Sequence, residues 1–179
     1  MATRQGFRRV RAVECLAVGL SMVPTVLPLG RLRLPLAELG RFPVAFLLGS
    51  ALVFDLHTHL RFDMAPALSR EAPPSDANRM AVVIEWMLAV LGNQLAAATP
   101  EWMDRPVSLR LHGQGSGTWT IDRRGVANGA SPAAVAVIDA AAEQFPGWGT
   151  RRSSWHDHDI VISGDSAYGE NFLDGVNVV

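Results

Sequence analysis

Asp55, His59 and Asp63 stand at intervals of four in the stretch Leu52-Val-Phe-Asp-Leu-His-Thr-His-Leu-Arg-Phe-Asp-Met64. On a helix that spacing stacks a carboxylate, an imidazole and a second carboxylate along one face. The neighbours Leu52, Val53, Phe54, Leu56, Leu60 and Phe62 make the surroundings apolar. Ionisable groups in such company need a reason, because burying them unpaired is costly. A divalent metal is one reason, and an ion-pair network with Arg61 or Arg41 is the other. His57 does not share the face, since positions two apart on a helix point to different sides.

Three further groups carry residue types capable of chemistry. His156-Asp-His158-Asp159 alternates two imidazoles at the entrance to an expected strand, a pattern that fits a solvated turn better than a metal site. Arg151 and Arg152, between Trp148 and Trp155, either anchor a loop or meet an anionic ligand such as a carboxylate. Cys15 reads as a small buried hydrophobe, with a reactive thiol as the alternative. Trp102 and Trp119 read as packing residues.

The elements that must position these residues belong to a chain of 179 residues, enough for one ordinary domain or two small ones. Its hydrophobic fraction of 49% supports a real core. A net charge of −1 gives no electrostatic case for a nucleic-acid partner, and the basic residues are all Arg. A single cysteine excludes an internal disulfide framework. Arg4, Arg8, Arg9 and Arg11 precede the apolar run from Cys15 to Leu29, as in a signal sequence. That run is broken by Glu14, Pro24 and Pro28 and is too short to span a bilayer. It reads instead as a helix docked on a core, in a cytoplasmic protein with no membrane partner.

Residues 1–97 have helical character, with helices expected over Arg8–Val23, Pro43–Met64 and Asp76–Ala98 and proline-rich breaks between them. Ser75 or Asp76 can cap the third, where Met80, Val83, Ile84, Met87, Leu88 and Leu91 recur at helical spacing. After Pro100 the period changes. Val107–His112 and Thr118–Asp122 alternate as strands about the loop Gly113-Gln-Gly-Ser-Gly117, and since a strand follows those glycines they do not open a phosphate-binding helix. Asp159–Ser163 is a further strand and residues 166–173 a final helix, while residues 131–145 fit either a helix or a strand feeding one. The reading is an α+β protein in two parts, residues 1–97 and 104–179, with a linker near Ala98–Arg105.

Taken in order, several segments resemble the mycothiol-dependent maleylpyruvate isomerase family of actinobacteria. They are Leu36–Gly40, Phe54–Asp63, Glu85–Leu88, Pro106–Leu111, Gly117–Ile121, Trp148–Arg152 with Trp155, Val161–Asp165 and Phe172–Asn177. The resemblance covers the chain from about residue 20 onward. It implies a DinB-like helical metal-binding domain over 1–97 and a sterol-carrier-like domain over 104–179, with a strand at about 134–138 followed by a helix. It also implies a zinc ion, or another divalent metal, held by Asp55 and His59 with Asp63 orienting His59. Mycothiol or a similar low-molecular-weight thiol would be the cofactor, adding as a thiolate to carbon and then leaving. The family's early-helix His has no counterpart before His57, so the chain reads as an N-terminally shortened member whose open helical half would dimerise.

Two functions from different classes follow. The first is a metal- and thiol-dependent isomerase or transferase acting on a small-molecule substrate. The second is a non-catalytic module in which the sterol-carrier-like half binds an apolar small molecule or a protein partner.

Overall fold

The computed structural model describes residues 28–36 and 39–178. The expected helix over Arg8–Val23, with Cys15, lies outside the described residues. The described residues fall into two compact units, the first holding 28–36 and 41–75 and the second 39–40 and 76–178. The architecture is α+β.

In the first unit, strands β1 (Arg33–Leu36) and β2 (Gly40–Pro43) form a two-stranded sheet. A long helix, α1 (residues 44–67), starts directly after Pro43, whose extended backbone sets the entry. Two stretches of α1, Leu47–Ala51 and His59–Met64, are wound more widely than an α-helix. The helix ends where Ser69 takes a left-handed φ of 49° and Arg70 N–H bonds back to the Ala65 carbonyl at 2.9 Å. That is the usual way to satisfy orphan carbonyls at a helix C-terminus. The Arg61 guanidinium then donates to the Pro73 carbonyl, holding the following segment back along α1.

The second unit opens with helix α2 (Ala77–Ala97), capped by Asp76, whose Oδ1 accepts from Arg79 N–H at 2.9 Å. Next come β3 (Val107–His112), β4 (Gly117–Asp122), β5 (Gly125–Asn128) and β6 (Ala136–Ala141). Helix α3 (Phe145–Gly149), strand β7 (Val161–Gly164) and helix α4 (Ser166–Gly175) complete it. The five-stranded sheet has the order β5-β4-β3-β6-β7. Only β3 and β6 run parallel, and the other neighbours are antiparallel.

Strand alternation gives this sheet two unlike faces. Val107, Leu109, Leu111, Ile121, Ala136, Ile138 and Ala140 are fully or almost fully buried. They share one face by register, and the helices pack on it. Arg110, Thr118, Thr120 and Asp139 alternate onto the other face, where Arg110 Nη1 reaches Asp139 Oδ2 at 3.3 Å across β3 and β6.

Two sequence expectations change here. Residues 134–138 were expected as strand and 139–145 as helix, yet β6 runs on to Ala141 before the chain turns helical. Asp139 is held in the strand by Arg110, while Ala140 fills the core at 0% exposure. Secondly, α2 belongs to the unit that contains the sheet, although its sequence groups it with the helical half. Met80, Val83, Ile84, Met87 and Leu91 are buried along it, and the helix packs against β5 and α3. The expected linker is also fixed within this unit. The Tyr168 hydroxyl accepts from Arg105 N–H at 2.9 Å and donates to the Arg105 carbonyl at 2.7 Å.

Candidate functional site

The four-residue spacing in α1 does place Asp55, His59 and Asp63 on one face, and that face is exposed. Val53, Phe54, His57 and Thr58 supply the buried side instead. His59 and Asp63 make a contact of 2.5 Å between Nδ1 and Oδ2, with side chains 56% and 40% exposed. With a proton on Nδ1 donated to the carboxylate, Nε2 is the nitrogen open to a ligand. Asp55 makes no hydrogen bond or ion pair among the described residues. Its exposure removes the desolvation argument that singled it out in the sequence. Among the described residues no group of three or more His, Cys, Asp or Glu is arranged to hold a metal ion. Asp55 and His59 are two donors, one short of the three protein ligands of a catalytic zinc site.

Arg151 has a structural assignment. Its Nε donates to the Val176 carbonyl at 3.2 Å and its Nη2 to the Asp174 carbonyl at 2.7 Å, at the C-terminal end of α4. A cation there also complements the helix dipole. Trp155 Nε1 donates to Asp174 Oδ1 at 2.8 Å, so this segment grips the same helix end twice. Arg152 is half-buried, and its main-chain N–H donates to the Gly147 carbonyl at 3.0 Å. His156 stacks on Trp155 with ring centroids 3.7 Å apart, whereas His158 Nε2 lies 2.7 Å from Ser153 Oγ. The two imidazoles thus have separate partners.

A cleft of about 350 Å³ opens in the second unit between α2 and the β4–β5 edge of the sheet. The helix is held close to the sheet side at two points. A Cβ on Gly115, whose φ is +82°, would sit only 2.8 Å from Met80 Cβ, so the β3–β4 loop presses on the start of α2. Further along, a Cβ on Gly125 would lie 3.5 Å from the Gly92 carbonyl oxygen, so turn and helix meet backbone to backbone. Between these anchors the helix presents Ala81, Glu85, Leu88 and Ala89 to the cleft. The small residues four positions either side of Glu85 leave the space.

Trp119, Val126 and Asn128 form the opposite wall, and Gly115 and Ser116 close one end. Register places Trp119 opposite Asn128, so both project to the helix-covered face. The indole lies over Gly117, where any Cβ would collide with it. The lining is mostly apolar, with one hydroxyl, one carboxamide and one carboxylate. Glu85 is exposed and makes no hydrogen bond or ion pair among the described residues.

This site was not among the sequence candidates, in which Trp119 read as packing. One signal was present: Glu85 is the only carboxylate within α2, and alanines flank it at four-residue intervals.

No family model matches the chain, and no curated protein matches it. Among solved structures it is similar to sterol carrier protein 2 like 2 from Aedes aegypti. The TM-score is 0.48 and the identity 16%, over 55% of this chain and 99% of that one. The resemblance to the isomerase family therefore stands on its sequence segments alone.

Proposed function

We propose that the second unit is a binding module for a small, mainly apolar molecule, taken into the cleft between α2 and the β4–β5 edge. The supporting observation is the cleft itself. Its volume of about 350 Å³ falls within the range of small-molecule sites, and its walls are apolar with a few polar groups. Burial of apolar surface contributes about 25 cal/mol per Å², and association costs offset much of that. The expected affinity is on the order of micromolar to millimolar.

The test fills the space. Ala89 lines the cleft and is half-buried, so Ala89→Phe projects a ring into it. Binding of the neutral fluorescent probe Nile red should weaken at least tenfold in this variant while the far-UV spectrum and melting temperature hold. Equal binding by both proteins would place the probe elsewhere and sink the reading.

A second reading concerns α1. In it Asp55 and His59 bind a divalent cation, and Asp63 orients His59 for that role. It is favoured by the 2.5 Å His59–Asp63 contact, the kind of carboxylate–histidine pair that orients metal-ligating imidazoles. Two donors bind zinc weakly and exchangeably.

A further inference from the structure

We infer that the cleft selects amphiphiles bearing a cationic head group, with Glu85 as the specificity-determining residue. This inference rests on the binding-module reading above and adds the chemical class of the ligand.

Glu85 is the single ionisable residue in the lining; no Arg, Lys or His lines the cleft with it. A bound molecule therefore meets one uncompensated carboxylate and otherwise Leu88, Val126, Ala81 and Ala89. An anionic head group entering here is repelled, and a neutral one gains only hydrogen bonds to Ser116 or Asn128. An ammonium gains the ion pair with Glu85. It also meets Trp119 in the same lining, and an indole attracts cations that come within about 6 Å of its ring centroid. No described residue supplies the missing cation, because Glu85 makes no ion pair or hydrogen bond among the described residues. Arg79, the other charged residue of α2, stands six positions before Glu85, off its face and beyond the three- or four-residue reach of a helical pair. Arg79 instead reaches Asp76, with Nη2 3.6 Å from Oδ2.

The experiment compares three probes that share a chain and differ in head group: octylammonium, octanol and octanoate. Each is titrated calorimetrically below its micelle concentration, at low salt and neutral pH, into the full chain. Octylammonium should bind about tenfold tighter than octanoate, from a partly exposed ion pair plus a cation–π contact. Octanol should fall between them. Glu85→Gln, an isosteric change at an exposed position, should bring the three affinities together. Glu143→Gln removes an exposed carboxylate of the same unit outside the cleft and should leave the order intact, separating Glu85 from net charge. If wild-type protein binds all three equally, or Glu85→Gln preserves the order, the selectivity is overturned and the binding module stands. If none of the three binds, octanol included, the binding module itself falls and the selectivity with it.

Discussion

Gly92 of α2 and Gly125, the first residue of β5, meet without side chains between them: a Cβ on Gly125 would lie 3.5 Å from the Gly92 carbonyl oxygen. The contact brings the helix down on the hairpin at one end of the cleft, and the pressure of Gly115 on Met80 does so at the other. The space between depends on both.

These two anchors should respond differently to alanine. A Cβ on Gly92 would meet Val126 N at 3.5 Å, an ordinary van der Waals distance. Alanine also favours the helix over glycine by about 1 kcal/mol. Gly92→Ala should therefore be neutral or stabilising by up to that amount. Gly115→Ala combines a φ of +82° with an approach of 2.8 Å to Met80 Cβ, and should cost about 1–3 kcal/mol. Urea denaturation of both variants reads the contrast, and a destabilised Gly92→Ala beside an unchanged Gly115→Ala would refute this account of the packing.

Tyr168→Phe should destabilise the second unit by about 1–3 kcal/mol, since it removes both partners of Arg105's main chain at once. The ring's own packing, edge-on to Trp102 at 5.3 Å and beneath the Arg105 guanidinium at 4.8 Å, is retained by phenylalanine. Thermal melts should show the drop with an unchanged far-UV spectrum. No change would mean that water replaces the hydroxyl at no cost.

Arg151→Met should cost about 1–2 kcal/mol through lost bonds to the carbonyls at residues 174 and 176. Arg151 also sits at a φ of 56°, so Arg151→Gly loses the same bonds but relieves the backbone and should cost less than Arg151→Met. Neither change should alter binding in the cleft. A large loss of ligand affinity in Arg151→Met would restore the anion-binding role that the sequence suggested.

Much of the second unit was legible in the sequence because local signals agreed with packing. The helical stripe from Met80 to Leu91 reports a buried face directly, the Asp76 cap marks where α2 starts, and the alternation in Val107–His112 and Thr118–Asp122 marks β3 and β4 as strands. Strand β5 was missed, as Gly125-Val-Ala-Asn128 is too short to show a period, and its strand character comes from pairing with β4. The end of β6 was misplaced because its alanines carry no strand preference; the parallel ladder to β3 fixes them. For the Asp55–His59–Asp63 face, spacing predicted the alignment. It could not say whether that face looks inward or outward, because apolar neighbours surround it on both sides in sequence. The cleft was hidden for another reason: its walls come from residues 81–89 and 115–128, and no single stretch contains it.

Zinc titration of the purified protein tests the reading of α1. The two-donor arrangement predicts weak binding, removable by dialysis, that disappears in His59→Ala and weakens in Asp63→Asn. Binding unaffected by His59→Ala would move any metal away from this helix.

The most direct test of the central claim is a backbone and side-chain NMR titration of the full chain with octylammonium. The account predicts saturable shifts concentrated on Ala81, Glu85, Leu88, Trp119 and Val126, the two walls of the cleft. Shifts confined instead to Thr118, Thr120 and Arg110, on the opposite face of the sheet, would contradict it.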